Sequence, residues 1–148
     1  TEPIDHIDGD AEIALCILSA INLGAVKQKD DLENLCDLSV RGLEELIDLQ
    51  NYPVKAAELS TKARRSLGIG YIGLAHFLAK NKVKYNNKDA WSLLDEWTEA
   101  FQYYLLKSSN QLAIEKGPCS KFDRTKYSDG ILPIDTYKKD VDSIVKRK

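Results

Sequence analysis

The stretch that most narrows the possible folds is EIALCILSAINLGA, in which the chain runs apolar without a break from Ile13 to Leu18. At a strand's period of two, Ile13, Leu15 and Ile17 point one way and Ala14, Cys16 and Leu18 the other, so both faces are apolar. A strand of that kind belongs in a parallel sheet covered on both sides, since a surface hairpin would expose half of it. Over so short a run, periodicity alone also fits a buried helix. The expectation is a buried strand over residues 13–18.

The rest of the chain reads as mainly helical. In DDLENLCDLSVRGLEELIDLQ, residues Leu32, Leu35, Cys36, Val40, Leu43, Leu46 and Ile47 fall on one stripe, which predicts an amphipathic helix over residues 30–50. Asp30 is placed to cap it, with Glu33 completing a capping-box pattern, and Pro53 stops it. Cys36 lies within the stripe and reads as a small core residue. YIGLAHFLAK predicts a short helix. A long helix is expected from Asp89 to Lys116, with Leu94, Trp97, Phe101, Tyr104, Leu105, Leu112 and Ala113 inward and Gly117-Pro118 at its end. The opening TEPIDHIDGDA reads as an extended loop, and KAAELSTKARRS as a polar, basic connection into a second short strand over residues 66–71. Beyond Cys119 the chain is irregular, with a final short helix.

Composition excludes several functions. The 148 residues suffice for one domain with a core, and 43% hydrophobic with 30% charged residues is a globular balance. A net charge of −2 argues against nucleic acid as a partner, because a binder needs a basic face to replace phosphate counterions. The basic cluster of Lys138, Lys139, Lys146, Arg147 and Lys148 is offset by Asp135, Asp140 and Asp142. No run has the length of a membrane span and no signal-peptide layout opens the chain, so the expected location is cytoplasmic, without membrane contact. Cys16, Cys36 and Cys119 are too few and too scattered for a disulfide framework or a metal site, and His6 and His76 have no partners at ligand spacing.

Gly68, Gly70 and Gly73 in RRSLGIGYIGLA spell the G-x-G-x-x-G of a dinucleotide-binding turn. That motif needs an apolar strand before its first glycine and an acidic residue ending a second strand about twenty residues on. Here the lead-in is basic and polar, and NKVKYNNKD supplies no second strand. The glycines therefore read as close-packing positions where a short strand meets a helix.

Four stretches in order, EIALCILSAINLGA, RRSLGIGYIGLAHFLAK, FQYYLLKSSNQLA and GILPIDTYKKDVD, make the chain similar to an internal part of the large, catalytic subunit of class I aerobic ribonucleotide reductases of bacterial and phage type. The resemblance covers nearly all the chain. It implies an α/β fold: residues 1–148 as part of a ten-stranded α/β barrel domain, mainly helical with a few short buried strands. It further implies an enzyme in which a cysteine radical takes a hydrogen atom from a nucleotide's ribose and a cysteine pair supplies the electrons that release the 2′-hydroxyl as water. The family's ALC strand matches Ala14-Leu15-Cys16, so the resemblance gives Cys16 the role of one redox-active cysteine, with its disulfide partner outside this chain.

By the same resemblance, the radical-bearing cysteine and the other redox cysteine belong upstream of Thr1. The phosphate-binding loop, the radical-relay tyrosines and the re-reducing cysteines belong beyond Lys148. Tyr103-Tyr104 takes no relay role, and Cys119 none in catalysis. The implied partners are the complementary segments of the large subunit, a small radical-generating metal subunit, a ribonucleoside diphosphate and an external dithiol reductant. No cofactor or metal is expected on this segment. The expectation is one piece of a split or truncated protein, inactive in isolation. The alternatives are an inert reductase remnant serving as a helical scaffold, and a nucleotide-binding module built on the glycines.

Overall fold

A computed structural model describes residues 3–7 and 10–136. The chain opens with a hairpin: β1 (Pro3–Ile7) pairs antiparallel with β2 (Asp10–Ile13), Ile4 opposite Glu12, with a register shift between Ile4 and Ile7. This replaces the extended loop expected from TEPIDHIDGDA, whose polar residues hid the strand pair.

The apolar run is divided. β2 ends at Ile13, Ala14–Cys16 form an irregular link, and β3 covers Ile17–Asn22. The single strand expected over 13–18 is thus displaced, because an unbroken apolar run carries no signal for where one strand stops and the next begins. A short 3-10 turn at Leu23–Ala25 follows, capped by the Asn22 side chain, whose Oδ1 accepts from the Gly24 N–H at 3.1 Å. Then come α1 (Asp31–Leu49), α2 (Lys55–Arg64), β4 (Leu67–Ile72), α3 (Leu74–Lys80) and α4 (Lys88–Lys116). Residues 133–136 are helical, where the final short helix is expected, and the residues after 136 lie outside the described ones.

β3 and β4 pair in parallel, Ile17 opposite Leu67 through Asn22 opposite Ile72. One face of this sheet packs on α1, and the core joins Ile21, Leu23 and Val26 to Leu32 and Cys36 of α1, Phe77 and Leu78 of α3, and Ala90 and Phe101 of α4. Phe77 meets Trp97 edge-on at 4.6 Å, and Tyr71 meets Phe101 at 5.7 Å. Of the aromatic residues of α4, Trp97, Phe101 and Tyr104 are core filling, as expected, while Trp91 and Tyr103 are exposed. The other sheet face is open: Leu18, Ala20 and Asn22 of β3, with Gly70 and Ile72 of β4, are exposed. The two-sided burial expected for this strand is thus one-sided within the chain, since no described element lies over that face.

α1 buries Leu32, Cys36, Val40, Leu43 and Ile47, while Leu46 at the stripe's edge is exposed. Asp30 makes no side-chain cap and Glu33 no capping box. Asp31 turns back to Gln28 instead, and Glu33 is drawn to Lys107 at 2.5 Å. Four ion pairs tie α1 and its approach to α4: Lys29–Glu96, Glu33–Lys107, Arg41–Glu115 and Glu45–Lys116. Numbers rise together along both helices, so α1 and α4 run in the same direction.

Candidate functional site

Cys16 ends the link between β2 and β3. Its side chain is exposed, rather than held within a buried strand as expected. The backbone around it is nevertheless fixed. The Ile17 N–H donates to the Ser66 carbonyl at 3.3 Å, which brings the start of β3 against the approach to β4. The sulfur sits above Gly68: a β-carbon at that glycine would stand 2.9 Å from Cys16 Sγ and 2.5 Å from Leu18 Cδ2.

Two consecutive arginines pin the elements that carry the cysteine. Arg64, the last residue of α2, reaches β2, where its Nε donates to Glu12 Oε2 at 3.0 Å and its Nη2 to Oε1 at 3.3 Å. The Glu12 side chain is 0% exposed and that of Arg64 23%. The hydrogen bond from Arg64 lowers the Glu12 pKa below the ordinary glutamate value, against the upward push of burial, and the charge of Arg64, then Ser60 and Lys121, adds to the lowering. Arg65 turns the other way, to α1. Its Nε donates to Glu44 Oε1 at 2.5 Å, its Nη2 to the Glu44 carbonyl at 3.1 Å, and its Nη1 and Nη2 to Asp48 at 3.1 and 2.7 Å. These bonds hold Arg65 in the left-handed region, φ 49°, at a helix end where glycine is usual. The segment read as a polar connection is therefore a helix whose last residue, Arg64, is turned to the buried Glu12, while Lys55 and Lys62 pair with Glu58 on its surface. Glu12, Arg64 and Arg65 were not singled out by the sequence, and the Glu12–Arg64 contact spans 52 positions, which no local pattern signals.

The other cysteines are placed differently. Cys36 is fully buried on α1 with its Sγ 3.9 Å from the Phe101 carbonyl, and burial pushes its thiol up to about 11. It is a core residue, as expected. Cys119 is half-buried beyond the end of α4, where neighbouring Ser120 and Lys121 donate to the Ala63 carbonyl at 3.2 and 3.1 Å. All three thiols are free. Tyr103 and Tyr104 lie mid-helix on α4, edge to edge at 5.4 Å, with Tyr104 packed against the core. His76 is exposed on α3, and His6 falls where only the backbone is described. Among the described residues, no group of three or more His, Cys, Asp or Glu side chains could hold a metal ion. Among those residues too, no helix is long and apolar enough to cross a membrane.

The glycine motif resolves structurally. Gly68 and Gly70 lie inside β4 rather than in the turn after it, where phosphate-cradling glycines sit. Gly73, at φ 75°, makes the turn into α3, and a β-carbon there would come within 2.2 Å of Asn22 Oδ1. The close-packing expectation holds at Gly68 and Gly73 but not at Gly70, whose would-be β-carbon has nothing within 4 Å.

A parallel strand pair joined through helices defines a segment of an α/β domain. The family profile described as ribonucleotide reductase, barrel domain, matches residues 2–147, and the chain belongs to that family. It is 55% identical over 145 residues to the ribonucleoside-diphosphate reductase subunit alpha of Buchnera aphidicola subsp. Schizaphis graminum, covering 97% of this chain and 19% of that protein. It is 56% identical to the subunit alpha of Haemophilus influenzae, again over 97% of this chain and 19% of the relative. The subunit alpha of Enterobacteria phage T4 is 44% identical over 94% of this chain and 18% of its own length. The chain thus spans about a fifth of the relatives it matches.

Proposed function

We propose that this chain is part of the catalytic ten-stranded barrel of a ribonucleoside-diphosphate reductase large subunit, and that Cys16 is one of its two redox-active cysteines. In the complete enzyme a cysteine radical on another segment abstracts a hydrogen atom from the ribose and later returns one. Cys16 and its partner cysteine together give up two electrons and two protons. The 2′-hydroxyl leaves as water, the deoxyribonucleotide forms, and the two sulfurs end as a disulfide. An external dithiol re-reduces that bond, and a small metal-bearing subunit supplies the radical. The substrate is a ribonucleoside diphosphate, bound mainly by segments outside these residues, and the location is cytoplasmic.

The observation that carries this reading is the free, exposed thiol at the edge of the open sheet face, on the residues Ala14-Leu15-Cys16 that match the family's redox strand. A thiol there can meet a sulfur from a neighbouring strand, provided the two Cα atoms lie roughly 4.4–6.8 Å apart. Among the described residues, each strand of the two-stranded β3–β4 sheet has an unpaired outer edge, where further barrel strands would pair. The open apolar face is the one a closed barrel would turn inward.

The test is Cys16→Ser in the full large subunit with its small subunit. Serine is close in size and the side chain it replaces is exposed, so assembly persists. Turnover with an external dithiol is abolished. Wild-type deoxynucleotide production by that variant would leave the chain as scaffold.

A further inference from the structure

Gly68 stands opposite Leu18 in the parallel pair, on the face that carries the Cys16 sulfur. Its backbone does not require glycine, since the glycines with positive φ among the described residues are Gly73, Gly117 and Gly130. Strand pairing does not require one either, and a glycine inside a strand weakens it. What a side chain at Gly68 would meet is specific: Leu18 Cδ2 at 2.5 Å and Cys16 Sγ at 2.9 Å. Gly70, two residues on and on the same face, has nothing within 4 Å of its would-be β-carbon. The same residue type thus has two different surroundings, and only the first touches the thiol.

We propose that Gly68 is a positioning residue for Cys16: its missing side chain leaves the seat in which the thiol rests, and so sets the direction in which the sulfur points. The inference rests on the redox role proposed above. Both atoms that an added methyl would displace are ends of side chains, and Leu18 is 71% exposed, so they move without disturbing the strands. The thiol moves by changing rotamer, a step of 120° that swings the sulfur by about 3 Å. Disulfide formation does not survive such a swing, because the bond is specific in length and dihedral. Misplacement of a reacting atom by about 1 Å already lowers a rate on the order of a hundredfold.

The experiment uses the complete large subunit with its small subunit. Gly68→Ala is compared with the parent, and Leu18→Ala/Gly68→Ala with Leu18→Ala alone; the second pair removes the leucine contact, so only the sulfur remains to clash. The readouts are the single-turnover rate of Cys16 disulfide formation, kcat and KM, and the Cys16 rotamer in a crystal structure. The expected result is a fall of tenfold or more in disulfide formation and kcat within each pair, with KM unchanged and the thiol rotated over an intact β3–β4 pair. Gly70→Ala leaves the rotamer and the disulfide rate within twofold of the parent. Recovery of the rate in Leu18→Ala/Gly68→Ala would assign the effect to Leu18 and overturn the proposal, as would an unmoved sulfur in Gly68→Ala. Should Cys16→Ser turn over normally, the redox role fails, while the rotamer still decides whether Gly68 seats the thiol.

Discussion

Removing the Arg64 guanidinium tests whether the Glu12 pair anchors the hairpin that leads to Cys16. In Arg64→Ala the Glu12 carboxylate, 0% exposed, is left without its bidentate partner. Breaking a wholly buried pair costs about 3–5 kcal/mol. Arg64 keeps 23% exposure, so water enters the vacated space and the expected loss is about 2–3 kcal/mol, a 30- to 150-fold change in a local opening equilibrium. The assay is native-state hydrogen exchange of the β2 amides in the full large subunit, where local opening is read directly. Replacing both partners, as Glu12→Leu/Arg64→Ala, removes the stranded charge and restores most of the protection. The pH dependence has a definite sign. The native pKa of Glu12 lies below its ordinary value of 4.5, so the stabilisation is complete above that value and drains away as pH falls below it. Parent protection of β2 therefore drops in acid while that of Arg64→Ala does not. A loss under threefold in Arg64→Ala, or an equal acid response in both proteins, would refute the anchoring role.

Gly73→Ala forces an alanine to φ 75° and drives its β-carbon against Asn22 Oδ1, so the turn loses the bond to Gly24 and α3 amides lose about 2 kcal/mol of exchange protection. Arg41 donates to both oxygens of Glu115 at 2.7 and 2.9 Å and holds that carboxyl at about 2, so its NMR titration midpoint lies well below ordinary glutamates and moves up in Arg41→Ala. Whatever that pair adds to stability is present above pH 4.5 and lost as pH falls toward 2. Alkylation at pH 8 followed by mass spectrometry modifies Cys16 and spares Cys36, whose thiol is buried and pushed up to about 11; equal labelling of the two would contradict the packing of α1.

The elements legible in the sequence are those that bury one face by a repeating pattern. α1 and α4 lie within a residue of their expected bounds, and β4 and α3 flank Gly73 as the glycine spacing suggested. α2 was hidden because its polar side chains read as solvent-facing, whereas Ser60 and Thr61 are buried and Arg64 is spent on Glu12. Its alanines and the Glu58–Lys62 pair, four apart, were the available helix signals. The hairpin was hidden by its acidic residues, although Asp8-Gly9 between its strands is a strong turn dipeptide. Of the candidate site, Cys16 was singled out only through the resemblance at Ala14-Leu15-Cys16. Its exposure and its seat on Gly68 were not, because both depend on a partner strand far along the chain.

That distance has a kinetic consequence. Every pair in the β3–β4 ladder joins residues 50 positions apart, with two helices between them. Closing a loop of that length costs about 3.5 kcal/mol of chain entropy before the first strand contact repays any of it. The β1–β2 hairpin and the individual helices need no such closure and form earlier. Ile69→Val, which trims the core from β4, is accordingly expected to speed unfolding and leave the folding rate nearly unchanged; a matching fall in the folding rate would put the ladder in the folding nucleus. On this order of events the thiol of Cys16 exists unaimed through most of folding, and it acquires its direction only when the slowest pairing brings Gly68 beneath it.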